Sequence, residues 1–273
     1  MVYASISELT TYRWELADEI ELIARHGFDS ISLWRTKLSD VGVAAAAALL
    51  DQAGLRVASV QWAGGFTGGD GRSFAESVDD ALEAVDAAGR LGADVLVVHS
   101  GCRGGHTGSH ARRLLADALD VLAPEALARG VTLAVKPMHR SAAAGGSFLT
   151  TPVEAAAWVE RFDHPAVRMV LDLWHFGHDR GLVPLLDRLV PSTALVQVAD
   201  RRGPPQADAE RLPPGQGDLP LSALIASLVE RGYAGAVEFS AVGEAVESLG
   251  CEEVLRQASA TAAAWGRLVR VPA

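Results

Sequence analysis

Short apolar runs alternate along the chain with longer segments of helical spacing. The short runs are rich in β-branched residues and end in glycine, proline or polar residues, as buried strands do. Their apolar residues are nearly continuous, which is typical of parallel strands covered by helices. Eight runs follow this pattern: 2–7, 30–34, 56–62, 94–100, 131–136, 167–172, 194–199 and 235–239.

Helices are predicted between these strands from their end signals. The stretches SFAE (73–76) and TPVE (151–154) are capping boxes, in which a hydroxyl and a glutamate satisfy N–H groups at the helix start. Pro124 lies inside a third segment and is expected to kink or split its helix. Glycines after the last apolar turn mark helix ends. The predicted helices cover 13–26, 73 to about 92, 110–129, a segment opening at 151, 221–232 and about 244–268.

Eight strand–helix pairs in a chain of 273 residues predict a (β/α)8 barrel formed by one domain, residues 1–273. A doubly wound open sheet is the alternative. Such a sheet usually carries a glycine fingerprint after its first strand, and none follows residue 7. The longest irregular stretch, 201–218, lies between strand 7 and its helix. We expect it to be a lid or a substrate loop.

Composition removes several classes of function. The net charge is −10, whereas a nucleic-acid-binding protein needs a positive surface. No stretch of about 18 apolar residues predicts a membrane span, and the first residues lack the pattern of a signal peptide. Cys102 and Cys251 are in no metal or redox spacing. We therefore expect a reduced, cytoplasmic protein with no nucleic-acid or membrane partner.

Polar and aromatic residues stand at the ends of all eight predicted strands. In a (β/α)8 barrel the active site is built at the C-terminal ends of the strands. Each of these residues alone is as readily an ordinary rim residue, but all eight ends together are hard to explain by chance. The residues are Glu8, Trp34 with Arg35, Gln61 with Trp62, His99 with Ser100, Lys136 with His139, Asp172 with His175, Gln197 with Asp200, and Glu238.

The stretch VLDLWHFGHD (170–179) carries the strongest single motif. Asp172 closes an apolar strand and His175 follows three residues later, which suits a metal ligand beside a substrate-binding histidine. A solvent-facing acid and a stacked histidine are the plain alternative. Glu238 lies between two apolar neighbours, and a buried carboxylate is costly unless it is paired. Gln197 is either a functional amide or a hydrogen-bonding group of the core.

Motifs from most of the chain resemble those of the xylose isomerase-like TIM-barrel superfamily. The similarity is greatest to the sugar-phosphate isomerases and epimerases, including hydroxypyruvate isomerase, ketose 3-epimerases and inosose dehydratase. The resemblance implies a small sugar-like substrate. Homo-oligomers are common in that family, and nothing in this sequence decides the point. The motifs are RHGFDSISLW, GLRVASV, VLVVHSG, GVTLAVKPMH, MVLDLWHFG, LVQVADRRG, RLPPGQGDLPL and GYAGAVEFS.

The resemblance also implies a set of site residues. Relatives hold a divalent cation, usually Mn or Mg, with Glu, Asp, His or Gln, and Glu. Here Asp172, Gln197 and Glu238 match the last three positions, and Lys136 stands where relatives have the first glutamate. His175 matches a substrate-contacting histidine. Substrate contacts are expected from Trp34, Arg35, Trp62, His99, His139, Trp174, Asp200 and Arg211.

Lys136 leaves three functions open. An ammonium repels a cation by about 4 kcal/mol at ~4 Å and an effective dielectric near ~20. The first hypothesis is therefore a cofactor-free isomerase or epimerase. In it Lys136 polarises a carbonyl, or forms an imine with it, while Glu238 takes a proton. The second is a metal-dependent isomerase, epimerase or dehydratase in which His139, His99 or water completes the shell. The third is a non-catalytic binding protein.

Overall fold

The structure is a computed structural model that describes residues 2–143, 146–207 and 209–265. Its strands form a closed parallel barrel in sequence order, in which β8 pairs with β1. The predicted (β/α)8 barrel is confirmed, and the open sheet is wrong. The strands are β1 Tyr3–Ser7, β2 Ser30–Trp34, β3 Arg56–Gly64, β4 Val95–His99, β5 Thr132–Val135, β6 Val167–Asp172, β7 Thr193–Val198 and β8 Ala236–Phe239.

Helices surround the barrel and follow the strands in the chain. None of the helices within the described ranges is long and apolar enough to cross a membrane. The helices are α1 Leu16–Arg25, α2 Arg35–Val41, α3 Val43–Ala53, α4 Phe74–Arg90, α5 Gly108–Ala128, α6 Pro152–Phe162, α7 Leu173–Phe176, α8 Leu182–Leu189, α9 Leu221–Glu230, α10 Glu244–Leu249 and α11 Cys251–Trp265, with a 3-10 helix at Val190–Ser192.

Both predicted capping boxes lie at the start of a helix, and in the second the glutamate binds a different backbone N–H from the one predicted. The Ser73 hydroxyl accepts from Glu76 N, and the Glu76 carboxylate accepts from Ser73 N at 2.8 Å, which completes the first capping box. Thr151 caps α6 in the same way, with Glu154 N as donor at 3.1 Å. The Glu154 carboxylate, however, accepts from Thr150 N at 3.2 Å.

Two helix predictions need correction. Pro124 lies inside the continuous helix α5, so the predicted split is wrong. Leu122, Ala123 and Ala126 are fully buried on both sides of it, and this packing outweighs the lost backbone hydrogen bond. The last predicted helix divides into α10 and α11 at Gly250, whose φ of +81° is helix-breaking. Residues 266–268 of that prediction lie outside the described residues.

Strand register brings the candidate site together. Asp172 pairs with Gln197 across β6 and β7, and Gln197 pairs with Glu238 across β7 and β8. Residues in register on neighbouring strands are side by side. Three polar side chains that are far apart in sequence are therefore adjacent at one end of the barrel.

A second buried polar cluster lies at the C-terminal end of β1. Glu8 follows β1 and accepts a hydrogen bond from Trp34 N, while its Oε1 has no partner among the described residues. Lys37 pairs with Glu19 and donates to Thr11 O at 3.1 Å. Burial, and then the neighbouring Glu19, raise the pKa of Glu8 to about 8. Glu8 is therefore held as a neutral acid near pH 7.

Replacing Glu8 by Gln tests this neutral state through stability. A carboxyl whose pKa is raised from 4.5 to about 8 stabilises the fold below pH 4.5, and this contribution is lost as the pH rises through about 8. Glu8→Gln keeps the uncharged shape. We therefore expect the free energy of unfolding of Glu8→Gln to exceed that of wild type by about 1–3 kcal/mol at pH 9 and to equal it at pH 4. Urea denaturation at both pH values measures this. The exposed Glu21→Gln is the control, and an equal effect of Glu8→Gln at both pH values contradicts the prediction.

Candidate active site

Lys136 lies at the centre of the candidate site, immediately after β5. Its backbone N–H donates to Val98 O at 2.9 Å, which fixes the residue against β4. The residue is 8% exposed. Lys136 Nζ lies 2.9 Å from Asp172 Oδ2 and donates to Gln197 Oε1 at 2.5 Å. These contacts use two of the three ammonium hydrogens, and the third has no acceptor among the described residues. Burial lowers the pKa of Lys136, while the charge of Asp172 acts against that fall.

Glu238 is the most enclosed group of the site. Its carboxylate accepts from Gln197 Nε2 at 2.8 Å, from Gln61 Nε2 at 3.0 and 3.1 Å, and from Ser59 Oγ at 2.9 Å. The side chain has no exposed surface. Burial raises the pKa of Glu238, although the hydroxyl of Ser59 and the charge of Lys136 act against that rise. A substrate therefore cannot touch Glu238 in this conformation.

Asp172 is a charged carboxylate held by two cations. Arg211 donates to both of its oxygens at 3.0 Å, Lys136 contacts Oδ2, and Trp174 N donates to Oδ1 at 3.0 Å. Burial alone would raise the pKa of Asp172, but Arg211 and then Lys136 outweigh burial and hold it well below its usual range. Asp172 therefore keeps Lys136 in place as its counter-ion.

Two neutral histidines flank Lys136. His99 ends β4 and His175 follows β6, so the barrel order places Lys136, after β5, between them. Burial, with Lys136 as a further cause, lowers the pKa of each imidazole to about 3. Trp62, 40% exposed, stacks on His99 with 4.8 Å between ring centroids. Both imidazoles are therefore uncharged over the whole neutral pH range.

Two cavities open beside these histidines. The larger one, of about 730 Å³, is lined by His175, His139 and Arg201 on the β6 and β7 side. The smaller one, of about 320 Å³, is lined by His99 and Trp62 on the β3 and β4 side. Each is large enough for part of a small polar molecule. Lys136 itself lines neither cavity, and it lies between the strands that carry the two histidines.

Four of the predicted substrate-binding residues serve the fold in this structure. Arg35 binds Asp80 of α4 through both terminal nitrogens at 2.9 and 3.0 Å. Trp34, half-buried, gives its backbone N–H to Glu8. Trp174 donates its indole N–H to Glu210 O at 2.9 Å. The polar side-chain groups of Arg35 and Trp174 are thus already paired within the protein, so a contact with substrate is not needed to explain them. For Trp34 the contact is one of the backbone, and its side chain stays a predicted substrate contact.

Asp200 is the fourth of these residues, and it holds the loop after β7. Its carboxylate accepts from the backbone N–H groups of Arg201, Gly215 and Leu219 at 2.8–3.0 Å. A side chain at Gly217 would come within 2.3 Å of the same carboxylate, so glycine is required there. The Asp200 carboxylate is therefore already satisfied by its own loop, and its predicted role as a substrate ligand stays a prediction. Arg211, in contrast, reaches the centre of the site through Asp172.

A family model described as the xylose isomerase-like TIM barrel matches residues 20–257. The chain belongs to this family. Within the xylose isomerase-like family it is 28% identical over 231 residues to the 3-dehydroshikimate dehydratase of Pseudomonas aeruginosa PAO1. That match covers 81% of this chain and 35% of the relative, so the chain spans about a third of the length of the curated relatives it matches.

Solved structures agree with the family assignment. A protein from Sinorhizobium meliloti 1021 superposes with a TM-score of 0.83 at 25% identity, and the match covers 94% of this chain and 96% of that protein. The D-psicose 3-epimerase of Clostridium cellulolyticum H10, solved with D-tagatose, has a TM-score of 0.79 at 15% identity, with 98% and 99% covered. The second likeness is one of fold alone. The resemblance found in the sequence motifs is thus confirmed.

A divalent cation does not fit the central side chains of this xylose isomerase-like chain. The Lys136 ammonium lies between the oxygens of Asp172 and Gln197, which are two of the three predicted ligands. Arg211 occupies both Asp172 oxygens from the other side. In the described part of the chain, no group of three or more His, Cys, Asp or Glu side chains is arranged to hold a metal. A cation there would face two fixed positive charges.

Sequence reasoning missed two residues of the site. Ser59 lies two residues before Gln61 on β3, so strand alternation places both on the same face, and that spacing could have found it. Arg201 stands inside the irregular segment 201–218, where no periodicity predicts burial. Its burial depends on the fold of the loop, which the sequence pattern does not reveal.

Proposed function

We propose that this protein is an enzyme that moves a proton next to a carbonyl group of a small sugar-like or cyclitol-like molecule, without a metal ion. The observation that carries the proposal is the position of the Lys136 ammonium, 2.9 Å from Asp172 Oδ2 and 2.5 Å from Gln197 Oε1. The membership of a family with dehydratase and epimerase relatives supports the same class of reaction.

Lys136 supplies the electrophile in this proposal. Its third N–H donates to the carbonyl oxygen of the substrate, and this hydrogen bond strengthens as negative charge develops on that oxygen in the enolate. Asp172 and Gln197 position the ammonium, because they accept its other two hydrogens. Fixing the donor before the reaction avoids reorganisation when the charge appears.

His99 and His175 are the proton acceptors in this proposal. Glu238 is fully enclosed, whereas the two imidazoles line the cavities on either side of Lys136. Because both are neutral near pH 7, each has a nitrogen lone pair that can take the proton, and the lone pair of His175 Nδ1 accepts a long hydrogen bond from His139 N at 3.4 Å until then. One imidazole removes the proton from the carbon beside the carbonyl and becomes an imidazolium, and this imidazolium then returns a proton to the enolate, so that the imidazole ends neutral as it began. The net change is a shift of the proton with no redox step.

Solvent deuterium exchange tests this function before the product is known. The protein is incubated in D2O with a panel of ketoses, ketose phosphates, hydroxypyruvate and keto-cyclitols, and proton NMR follows the signal beside each carbonyl. We expect enzyme-dependent exchange with at least one compound, unchanged by prior treatment with a chelator. His99→Gln or His175→Gln should slow it by about 10²–10⁴-fold.

The same experiment contains the results that would oppose the proposal. Exchange that disappears with chelator and returns with added Mn²⁺ would favour a metal-dependent enzyme. No exchange with any compound of the panel would favour a binding protein. Heat-inactivated protein is the control for exchange catalysed by buffer.

Loss of water is a second outcome that the dehydratase relative favours. Removing a proton beside a carbonyl gives an enolate, and an enolate with a hydroxyl on the next carbon can expel that hydroxyl as water when the imidazolium gives it the proton taken from carbon. The product is a conjugated enone, which absorbs in the near ultraviolet. An absorbance rise with deuterium exchange would assign elimination, and exchange without it would assign isomerisation or epimerisation.

A further inference from the structure

Arg201 is a buried cation on the wall of the larger cavity. It follows β7, is 1% exposed, and lines the 730 Å³ space together with His175 and His139. Charged side chains are almost never fully buried in proteins unless they are paired. The partners of Arg201 therefore decide what this cavity is for.

All described partners of the Arg201 side chain are neutral. Its Nε donates to Trp174 O at 2.6 Å, and its Nη1 donates to Gly203 O and to His178 Nδ1, the latter at 3.1 Å. Its Nη2 donates to no group of the residues that the structure describes. Over the same residues, no carboxylate oxygen lies within 4.0 Å of its guanidinium. Within the described ranges, the positive charge thus has hydrogen-bond acceptors but no close counter-ion.

The nearest acids are used elsewhere. The Asp200 carboxylate binds three backbone N–H groups of its own loop, as described above. Asp218 accepts from Gly203 N at 3.3 Å, and Asp172 is paired with Lys136 and Arg211. These acids favour the charged form of Arg201 from a distance, while burial disfavours it. A close anion would complete the pairing.

Two further features of the cavity wall favour an anion. The N-terminus of α6, an eleven-residue helix, faces the cavity through Thr151 and Pro152. A helix N-terminus attracts negative charge. The exposed Arg140 lies on the same wall and adds positive charge at the entrance. Among the residues that the structure describes, Asp179 is the one acidic residue that lines the cavity.

We propose that this cavity binds an anionic group of the substrate, a carboxylate or a phosphate, through Nη2 of Arg201. This inference rests on the proposed function, because it places the anion beside His175 and the reacting carbon beside Lys136. The substrate class is then a carbonyl compound that carries a carboxylate or phosphate, and a neutral free sugar fits less well. Arg201 is thereby a specificity-determining residue.

Binding of simple anions tests the subsite without any turnover. Isothermal titration calorimetry measures the affinity of inorganic phosphate and, separately, of acetate at constant ionic strength. We expect wild type to bind at least one of them and Arg201→Met to bind it about thirtyfold more weakly or worse. Arg202→Met is the matched control, because Arg202 is exposed and its Nε contacts only Gln216 O at 3.3 Å.

A second variant covers the case in which Arg201→Met fails to fold. Thr150 also lines the cavity, so Thr150→Phe places a large side chain in it and leaves Arg201 intact, and it should also abolish anion binding. Binding of phosphate alone indicates a phosphorylated substrate, and binding of acetate alone indicates a carboxylate. No binding of either anion to wild type, or equal binding to Thr150→Phe, overturns the subsite.

The anion-binding subsite and the proposed proton transfer can fail independently, and the two experiments distinguish these failures. Anion binding that depends on Arg201, without any deuterium exchange, keeps the subsite and removes the proton-transfer enzyme. Exchange with neutral ketoses that is unchanged in Arg201→Met keeps the enzyme and removes the subsite. In an exchange assay with an anionic substrate, Arg201→Met should raise KM far more than it lowers kcat, since it removes uniform binding.

Discussion

Lys136→Met is expected to lower substrate deuterium exchange by about 10²–10⁴-fold while the protein stays folded. The methionine side chain fills a similar volume but donates no hydrogen bond, so the charge that develops on the carbonyl oxygen is no longer stabilised. Asp172 keeps Arg211 as its counter-ion in the variant. NMR exchange rates measure the loss, and circular dichroism checks the fold. More than a tenth of the wild-type rate in Lys136→Met would remove Lys136 from the reaction.

Lys136→Glu should show the same loss of deuterium exchange and should in addition gain the ability to bind a divalent cation. The variant places a third carboxylate beside Asp172 and Glu238 and releases Gln197 Oε1, which now accepts from Lys136. Such an oxygen-rich set suits Mn²⁺ or Mg²⁺. We expect calorimetry to detect Mn²⁺ binding to Lys136→Glu and not to wild type or Lys136→Met. Equal binding of Mn²⁺ to wild type would show that the lysine moves aside for a metal.

The barrel could be predicted from the sequence because its signals are local. A continuous apolar run predicts a buried parallel strand, and β2 and β6 begin and end at the predicted residues. The predicted split at Pro124 and the predicted continuous helix across Gly250 were wrong, because the outcome at these two residues depends on packing against the barrel. Proline weakens a helix locally, yet buried leucines and alanines keep α5 continuous. A local rule gives the tendency, and tertiary contacts decide between similar energies.

The site could be predicted as a set of positions but not as a set of contacts. The strand ends indicated Lys136, Asp172, Gln197 and Glu238, because parallel strands end at one face of the barrel. The sequence does not show which partner each side chain takes. Asp200 stands at such an end as well, yet three loop N–H groups occupy it. Hydrogen-bond partners depend on loop geometry, which a strand pattern does not contain.

Asp172→Asn is expected to have the largest effect on stability, about 3–5 kcal/mol of lost unfolding free energy. The variant leaves the ammonium of Lys136 and the guanidinium of Arg211 buried side by side without their shared counter-ion. The pKa of Asp172 lies well below its usual range in the fold, so its contribution is present above the unfolded value of 3.8 and is lost as the pH falls further. The difference between wild type and variant should therefore shrink below pH 4.

A double variant separates the lost ion pair from general damage to the core. Asp172→Asn combined with Lys136→Met removes one of the two stranded cations, so the two changes together should cost about 1–3 kcal/mol less than the sum of the single changes. Urea denaturation at pH 7 measures all four proteins, and the exposed Glu160→Gln, which breaks the surface pair with Arg188, is the control expected to cost less than about 1 kcal/mol. Additive costs would show that Lys136 and Asp172 do not depend on each other. Coupling would instead mean that the charge of Lys136 is kept in the core by Asp172, and the reaction proposed for the site requires that charge.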